Sequence, residues 1–158
     1  MQTRKIAGLL AGLVLAGCAA EPPQPRPAFY QDLATGGTLD SASALSLVND
    51  YRRANGLGAL VWDAGLAAEA ENEARRHAAA DGLLTAGIRD KSSAAHSAIR
   101  RSVSGGYHTM ADAFSGWRGS PAHDAVLRDP KGAAIGIGAV ARAGSRHRVY
   151  WVVLVRRR

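Results

Sequence analysis

The feature of the sequence that most limits its fold is an unbroken apolar run near its end, residues 149–155. Valine and tryptophan at alternate positions would face one side of a strand, while Tyr150, Val152 and Leu154 would face the other. A strand that is apolar on both faces has to be covered on both faces. We therefore expect an α+β domain folded as a three-layer α-β-α sandwich, with this strand inside its sheet.

A partner strand precedes this run. Residues 133–142 alternate larger apolar side chains with glycine, and residues 143–145 provide the small side chains of a tight turn. The second strand would then run from Arg146 to Val155. Together the two segments predict an antiparallel β-hairpin at the C-terminal end of the domain.

An amphipathic helix opens the domain. It would begin at Asp40 or Ser41 and end at Asn55, which a glycine follows. Its apolar side chains repeat with helical spacing, and Arg52 belongs to the polar positions that we expect to point away from the core. A short extended link over residues 57–62 leads to the next element.

A second helix is predicted from Asp63, its N-cap, to about Asp81. Its inner face is mostly alanine, so it would pack closely on its neighbours. His77 lies on that face, where a hydrogen-bonded core or boundary histidine is expected in preference to a ligand. Beyond this helix the pattern is weak, and it allows a short helix over Ser92–Ile99 and a strand that contains Val103.

One stretch places two helix ends in succession. A helix over residues 109–117 is expected to end at Gly119 in the left-handed conformation. Ser120 then resembles an N-cap, and Pro121 suits the first position of a short following helix. His123 would lie in the first turn of that helix, oriented by rigid backbone. This position suits a reactive or ligand-binding imidazole, and it equally suits an ordinary surface histidine.

The N-terminus has the pattern of a targeting segment. Arg4 and Lys5 precede an apolar run of ten residues, Ile6–Leu15. As a helix this run would be roughly 15 Å long, about half the hydrocarbon thickness of a bilayer, so it is too short to span one. The segment Leu15–Cys18 follows, with alanine and glycine before the cysteine, and it resembles the lipobox of bacterial lipoproteins.

Cys18 is the only cysteine in the chain, which excludes an internal disulfide and a cysteine nucleophile in the domain. Within a lipobox it is the site of lipid attachment and holds the protein on a membrane. The alternative is an ordinary signal peptide with an incidental cysteine. By resemblance to the sorting rule of Gram-negative lipoproteins, Ala19 in place of aspartate favours the outer membrane, with the protein facing the periplasm if the host is Gram-negative.

The chain divides into three parts. Residues 1–17 are expected to be a lipoprotein signal peptide, residues 18–39 a lipidated cysteine with a proline-rich tether, and residues 40–156 one folded domain. Four prolines between positions 21 and 27 favour an extended, semi-rigid spacer that separates the domain from the membrane.

The chain is basic, with 20 lysine and arginine residues against 13 acidic residues and a formal net charge of +7. Removal of Arg4 and Lys5 with the signal peptide leaves 18 basic residues and a charge of +5. Such a surface favours anionic envelope material, for example phospholipid head groups. Nucleic acid is not an expected partner, because the cations are scattered and no aromatic residues are interleaved with them.

Several motifs together resemble the CAP superfamily, which comprises cysteine-rich secretory proteins, antigen 5 and pathogenesis-related 1 proteins. The first half contributes Leu47-Val48-Asn49, Arg52, Gly56-Leu57, Leu60, Asp63, Leu66 and Ala70, and the second half contributes Ala113-Phe114-Ser115-Gly116-Trp117, Ser120-Pro121-Ala122-His123, Ile135-Gly136-Ile137-Gly138 and Tyr150-Trp151. The second group is most similar to the SCP-like domains of bacterial lipoproteins. The resemblance covers about residues 41–155 and implies an α-β-α sandwich.

The resemblance also implies a cleft. In the family this cleft usually gathers two histidines and one or two glutamates, a set that can hold a divalent metal or polarise a water molecule. His123 matches the later histidine. Thr85 or a neighbour stands where the earlier histidine is expected, and Arg101 stands close to the position of a family glutamate. We therefore expect no metal, no cofactor and no catalytic residue, with His96 as the remaining source of a second imidazole.

Three functions stay open. In the first, the domain is a non-catalytic, membrane-tethered binding module for a lipid or an anionic envelope component, and its ligand-binding residues are His123, Ser120, Arg101, Trp117 and Thr85. In the second, it is a hydrolase of peptide or cell-wall polymer with an altered site, and in the third it is a purely structural envelope lipoprotein. A guanidinium at position 101 in place of a carboxylate favours the first, since it would make the cleft attractive to anions.

Overall fold

The computed structural model describes residues 26–84 and 98–158 of the protein. The predicted signal peptide, Cys18, Thr85 and His96 lie outside these residues, as does most of the helix predicted over Ser92–Ile99. In chain order the regular elements are α1 (Ser41–Ala54), β1 (Val61–Trp62), α2 (Ala64–Ala79), β2 (Ile99–Gly105), α3 (Met110–Gly119), α4 (Pro121–Leu127), β3 (Gly132–Ala141) and β4 (Val149–Arg157). Two 3-10 turns, Ala28–Tyr30 and Leu33–Thr35, precede α1.

The four strands form one sheet in the order β1-β3-β4-β2. β1 pairs in parallel with Ala134 and Ile135 of β3, and the β3–β4 and β4–β2 pairs are antiparallel. β3 and β4 form the predicted hairpin, but β4 begins at Val149 and not at Arg146. The strand starts later because Arg148 has a φ of 60°, in the left-handed region, and its carbonyl accepts the N–H of Arg142 at 2.8 Å to close the turn.

Helices cover both faces of the sheet. On the face of α1, α3 and α4, the core includes Val149, Trp151, Val153 and Val155 of β4. On the face of α2, it includes Tyr150, Val152 and Leu154. All seven of these β4 residues are at most 2% exposed. The predicted alternation along this strand and the α-β-α sandwich are both confirmed.

Two glycines of β3 let α2 lie directly against the sheet. A Cβ atom at Gly136 would overlap the backbone of Ala67, and a Cβ atom at Gly138 would overlap the backbone of Glu71. The predicted close packing of α2 on its neighbours is therefore confirmed. It depends on the missing side chains of the strand as well as on the alanines of the helix.

Arg52 of α1 is buried, contrary to the prediction that it points away from the core. The residue is 0% exposed. Its Nε donates to the carbonyl of Gly58 at 2.7 Å, and its Nη1 donates to the carbonyls of Leu127 at 2.7 Å and Asp129 at 3.1 Å. The side chain thus joins α1 to the loop before β1 and to the end of α4. Helical periodicity could not show this, because these acceptors come from other parts of the chain.

Aspartates cap both α1 and α2: the predicted N-cap Asp63 is confirmed, and Asp40, one of the two predicted start residues of α1, is the N-cap of that helix. Asp40 accepts the backbone N–H of Ser43 at 2.7 Å, and Asp63 accepts that of Leu66 at 2.9 Å. Hydrogen bonds from Ser43 lower the pKa of the Asp40 carboxyl, and the bond from Leu66 is the largest cause of the lowered pKa of Asp63. Both carboxylates also oppose the positive end of their helix dipole.

The junction between α3 and α4 differs in part from the prediction. Gly119 is the last residue of α3 and is not among the glycines with positive φ, so the left-handed ending was wrong. The helix ends because Ser120 is extended, with a φ of −106° and a ψ of 115°, as the residue before a proline tends to be. The Ser120 side chain makes no capping hydrogen bond, whereas Pro121 occupies the first turn of α4 as predicted.

Candidate functional site

His123 lies in the first turn of α4, half-buried near β2. Burial lowers the pKa of its imidazole, and the backbone of Val103 on β2 partly opposes this by favouring the protonated form. Its Nδ1 atom is buried and has no hydrogen-bond partner among the residues that the structure describes. At pH 7 the imidazole is therefore mostly neutral, and one ring nitrogen is unsatisfied.

Trp117, a second residue expected in the cleft, belongs to the core. It is 1% exposed, its Nε1 donates to the hydroxyl of Ser104 at 2.8 Å, and its ring packs edge-on against Trp151 with 5.8 Å between centroids. Trp117 therefore offers almost no surface to a ligand. Ser120 is half-buried at the start of α4, three residues before His123.

Arg101 forms an ion pair with Glu73 of α2, in which its Nε and Nη2 atoms both contact Oε1. His77 Nε2 lies 3.3 Å from the same oxygen, and His77 Nδ1 accepts the N–H of Leu84 at 2.9 Å. Since Nδ1 is an acceptor, a neutral His77 carries its proton on Nε2 and donates it to Glu73. His77 is thus the hydrogen-bonded core histidine that the sequence predicted.

This network neutralises the charge that was expected to attract anions. Burial raises the pKa of Glu73, but the hydrogen bond and the positive charge of Arg101, assisted by His77, more than offset this and hold the pKa below its usual value. Glu73 is therefore a carboxylate at neutral pH and compensates Arg101. The sequence analysis did not single out Glu73. Its position four residues before His77 on the apolar face of α2 was the available indication.

The expected cleft residues do not converge. Along β2 the side chains alternate between the two faces of the sheet. Ser104 reaches Trp117 on the α3 face, whereas Arg101 reaches Glu73 on the α2 face. His123 and Ser120 remain neighbours on α4, and Thr85 lies outside the described residues. Arg101 and Trp117 thus do not line one cleft.

Neither of two further features is found in the described ranges, 26–84 and 98–158. No group of three or more histidine, cysteine, aspartate or glutamate side chains is placed there to hold a metal ion. No helix there is both long enough and apolar enough to cross a bilayer.

An open groove of about 470 Å³, which we call the α4 groove, is lined in part by residues of α4, the helix that carries His123. It is lined by Leu57, Pro121, Asp124, Ala125, Arg128 and Pro130. The guanidinium of Arg128, whose side chain is 47% exposed, lies 3.3 Å from a carboxylate oxygen of Asp124. The other oxygen of Asp124 accepts the hydroxyl of Tyr51 at 2.7 Å, which raises the pKa of the tyrosine. Most of the residues that line the groove are apolar, and Arg128 and Asp124 are its charged pair. The sequence analysis did not identify this groove.

Solved structures of bacterial proteins share this fold. The chain superposes on an outer surface protein of Borrelia burgdorferi with a TM-score of 0.59 and 18% identity, covering 76% of this chain and 96% of the other. A cysteine-rich secretory protein of Staphylococcus aureus gives a TM-score of 0.55 at 18% identity, covering 74% of this chain and 38% of the other. An extracellular protein of Bacillus anthracis that contains an SCP domain gives a TM-score of 0.55 at 15% identity, covering 77% of this chain and 45% of the other.

The sequence itself decides the family. The model of the CAP, or cysteine-rich secretory protein, family matches residues 45–155. The chain belongs to the CAP family. No protein with a curated description matches it. The CAP match runs from α1 to β4 and confirms the resemblance inferred from the motifs. Within this CAP domain, position 101 carries a cation that is paired with α2.

Proposed function

We propose that this protein is a lipid-anchored CAP domain of the cell envelope that binds an anionic amphiphile, such as a lipid, without catalysing a reaction. The α4 groove carries the proposal. Leu57, Pro121 and Pro130 offer apolar surface to an acyl chain, and Arg128 offers a cation to an anionic head group. Arg128 is paired with Asp124 as Arg101 is paired with Glu73, but its side chain is 47% exposed against 26% for Arg101, so it is the more accessible of the two cations.

Structural roles of the polar residues support a non-catalytic domain. Arg101, Glu73 and His77 form a network that ties β2 to α2. His123 is half-buried and neutral at pH 7, and no carboxylate of residues 26–84 or 98–158 is hydrogen-bonded to it. A general base needs a partner that orients it and a substrate proton within reach. His77 has such a partner in Glu73, but it is 1% exposed and out of reach of a substrate, and His123 has no orienting carboxylate among the described residues.

Two further observations support a location in the envelope. The segment Leu15–Cys18 has the residues of a lipobox after a short apolar run, and the expected mature chain keeps a charge of +5 that favours anionic membranes. The solved structures that share the fold are named as an outer surface protein and as secretory or extracellular proteins. Lipid attachment at Cys18 would hold the domain at such a surface.

Native mass spectrometry of the protein, exported to a bacterial periplasm and purified in mild detergent, tests the ligand. We expect a bound lipid in the wild type and its loss in Arg128→Gln. Arg53→Gln is the matched control, because Arg53 is an exposed arginine that also pairs with a carboxylate on its own helix. Equal occupancy in both variants would contradict the proposal, and a bound zinc ion would favour an enzyme instead.

Metabolic labelling with palmitate tests the anchor. We expect the label and the membrane fractionation of the wild type to be lost in Cys18→Ser, since no other residue of the chain carries a thiol. A Cys18→Ser protein that stays in the membrane fraction would show that another segment retains it there.

A further inference from the structure

A second groove lies at the opposite end of the strand order from β2, along the outer edge of β3. Its volume is about 500 Å³, within the range of ligand sites. Ala64, Ala67, Ala68 and Glu71 of α2 line one side, and the segment from Leu33 to Ser41 lines the other. The edge of β3 forms its floor, and we call it the β3 groove.

This edge of β3 is only partly covered. β1 has two residues and pairs with Ala134 and Ile135 alone, so residues 136–141, which pair with β4 on their inner edge, have no strand on their outer edge in the described part of the chain. The carbonyl of Ile135 accepts the N–H of Asp63 and therefore faces outward. Because the direction alternates along a strand, the N–H and C=O groups of Ile137, Ala139 and Ala141 face outward too.

We propose that the β3 groove binds an extended peptide segment, which pairs with residues 137–141 as an additional strand of the sheet. The free main-chain donors and acceptors recur at every second residue along about 14 Å, the length of four residues of a strand. Only another extended main chain offers groups at the same spacing. The groove thus has the hydrogen-bonding pattern of a strand and room for one.

The shape of the groove favours a single peptide over other occupants. The edge lies between α2 and the segment from Leu33 to Ser41, and the edge of a second copy would be recessed in the same way. The proline-rich tether of this chain is also poorly suited, because Pro22, Pro23, Pro25 and Pro27 have no N–H to donate to a strand.

The side chains in the groove favour a peptide with one basic residue. Glu71 is the one ionisable side chain among the residues that line it. Its Oε1 binds Arg75, its side chain is 47% exposed, and Oε2 takes no hydrogen bond from the described residues. Trp62 and Leu39 provide apolar contacts. We therefore assign an extended, mostly apolar peptide with a lysine or arginine near Glu71.

Titration calorimetry of the full chain in detergent micelles, with a capped hexapeptide of valine and threonine around one central lysine, tests the proposal. We expect Ala139→Pro to weaken binding at least tenfold, since proline removes an outward N–H that takes no part in the β3–β4 ladder. Ala139→Val keeps the N–H and is the matched control. Thermal unfolding verifies that both variants are folded.

Two further measurements leave the strand untouched. A peptide that is N-methylated at alternate residues keeps its side chains but loses donors, so it should not bind. Glu71→Gln should weaken the lysine peptide about threefold and leave a peptide with norleucine at that position unchanged. In the complex, amide exchange should slow at Ala139 and Ala141. Failure of the hexapeptide to bind, equal affinity of the N-methylated peptide, or protection of these amides by self-association alone would each overturn the proposal.

Discussion

Replacement of Arg52 by methionine should be the most destabilising single change on α1. Methionine fills much of the same space but removes three hydrogen bonds, to the carbonyls of Gly58, Leu127 and Asp129, of which only that of Asp129 keeps a second donor among the described residues, the N–H of Gly132. Each lost bond should cost about 1 to 1.5 kcal/mol, which is low for a hydrogen bond from a charged donor. The low value is used because Gly58 is exposed, so its carbonyl can bind water instead. The free energy of unfolding should fall by about 3–4.5 kcal/mol, a large part of the roughly 5–15 kcal/mol that a domain possesses.

Urea unfolding followed by tryptophan fluorescence measures this loss. With a slope of about 2 kcal/mol per molar urea, the midpoint should fall by roughly 1.5–2.5 M. Arg53→Met is the control on the neighbouring residue. Its side chain is 74% exposed and pairs only with Asp50, so its midpoint should change by less than about 0.3 M.

A lysine at position 52 separates charge from geometry. The ammonium keeps the positive charge but cannot donate in the directions of the Nε and Nη1 atoms at once, so Arg52→Lys should recover less than half of the loss. If Arg52→Met and Arg53→Met unfold at the same urea concentration, the three hydrogen bonds of Arg52 contribute nothing to stability and this reasoning is wrong.

Three other results are expected. Gly138→Ala should lower the free energy of unfolding by about 3 kcal/mol or more, because the new methyl group overlaps the backbone of α2. At Gly119 a methyl group meets no atom, so Gly119→Ala should be neutral or stabilising. In a double-mutant cycle by urea unfolding, Glu73→Gln and Arg101→Gln should be non-additive by about 1–3 kcal/mol, and additive effects would show that the pair is not coupled. The pKa of His123 is lowered in the folded state, so the unfolded chain binds more protons between that value and 6.5. The stability of wild type relative to His123→Asn should therefore fall as the pH drops through this window, and a pH-independent difference would contradict the assignment. The lowered pKa of Glu73 changes stability only below about pH 4.5, so the contributions of Glu73 and His123 occur in different pH ranges.

Much of the fold was predictable because it is set by local chemistry. The cap Asp63, the start of α1 after Asp40 and the inward positions of Ala44 and Val48 depend on neighbouring residues, and the structure confirms them. The two-sided apolar run of β4 also required a covered central strand whatever the rest of the chain did. These features depend on the residues themselves and not on contacts that are distant in sequence.

The functional residues were less predictable because their roles depend on distant contacts. Arg52 meets the carbonyl of Leu127, 75 residues later, and Arg101 meets Glu73, 28 residues earlier. The motif positions placed Arg101 and Trp117 in one cleft. In the structure Arg101 points from β2 to the α2 face of the sheet, whereas Trp117 of α3 contacts Ser104 on the opposite face. A pattern of residues can specify which side of a strand is apolar. It does not specify which partner lies beyond that side.

The central position of β4 also determines when this domain can fold. β4 pairs with both β2 and β3, which have no contact with each other in the sheet, yet it follows every other element in the chain. While the polypeptide is being synthesised, β2 therefore has no partner strand, and β3 has only the two residues of β1 to pair with, so the four-stranded sheet cannot form. Completion of the sheet has to wait until β4, which pairs along both of its edges, has left the ribosome.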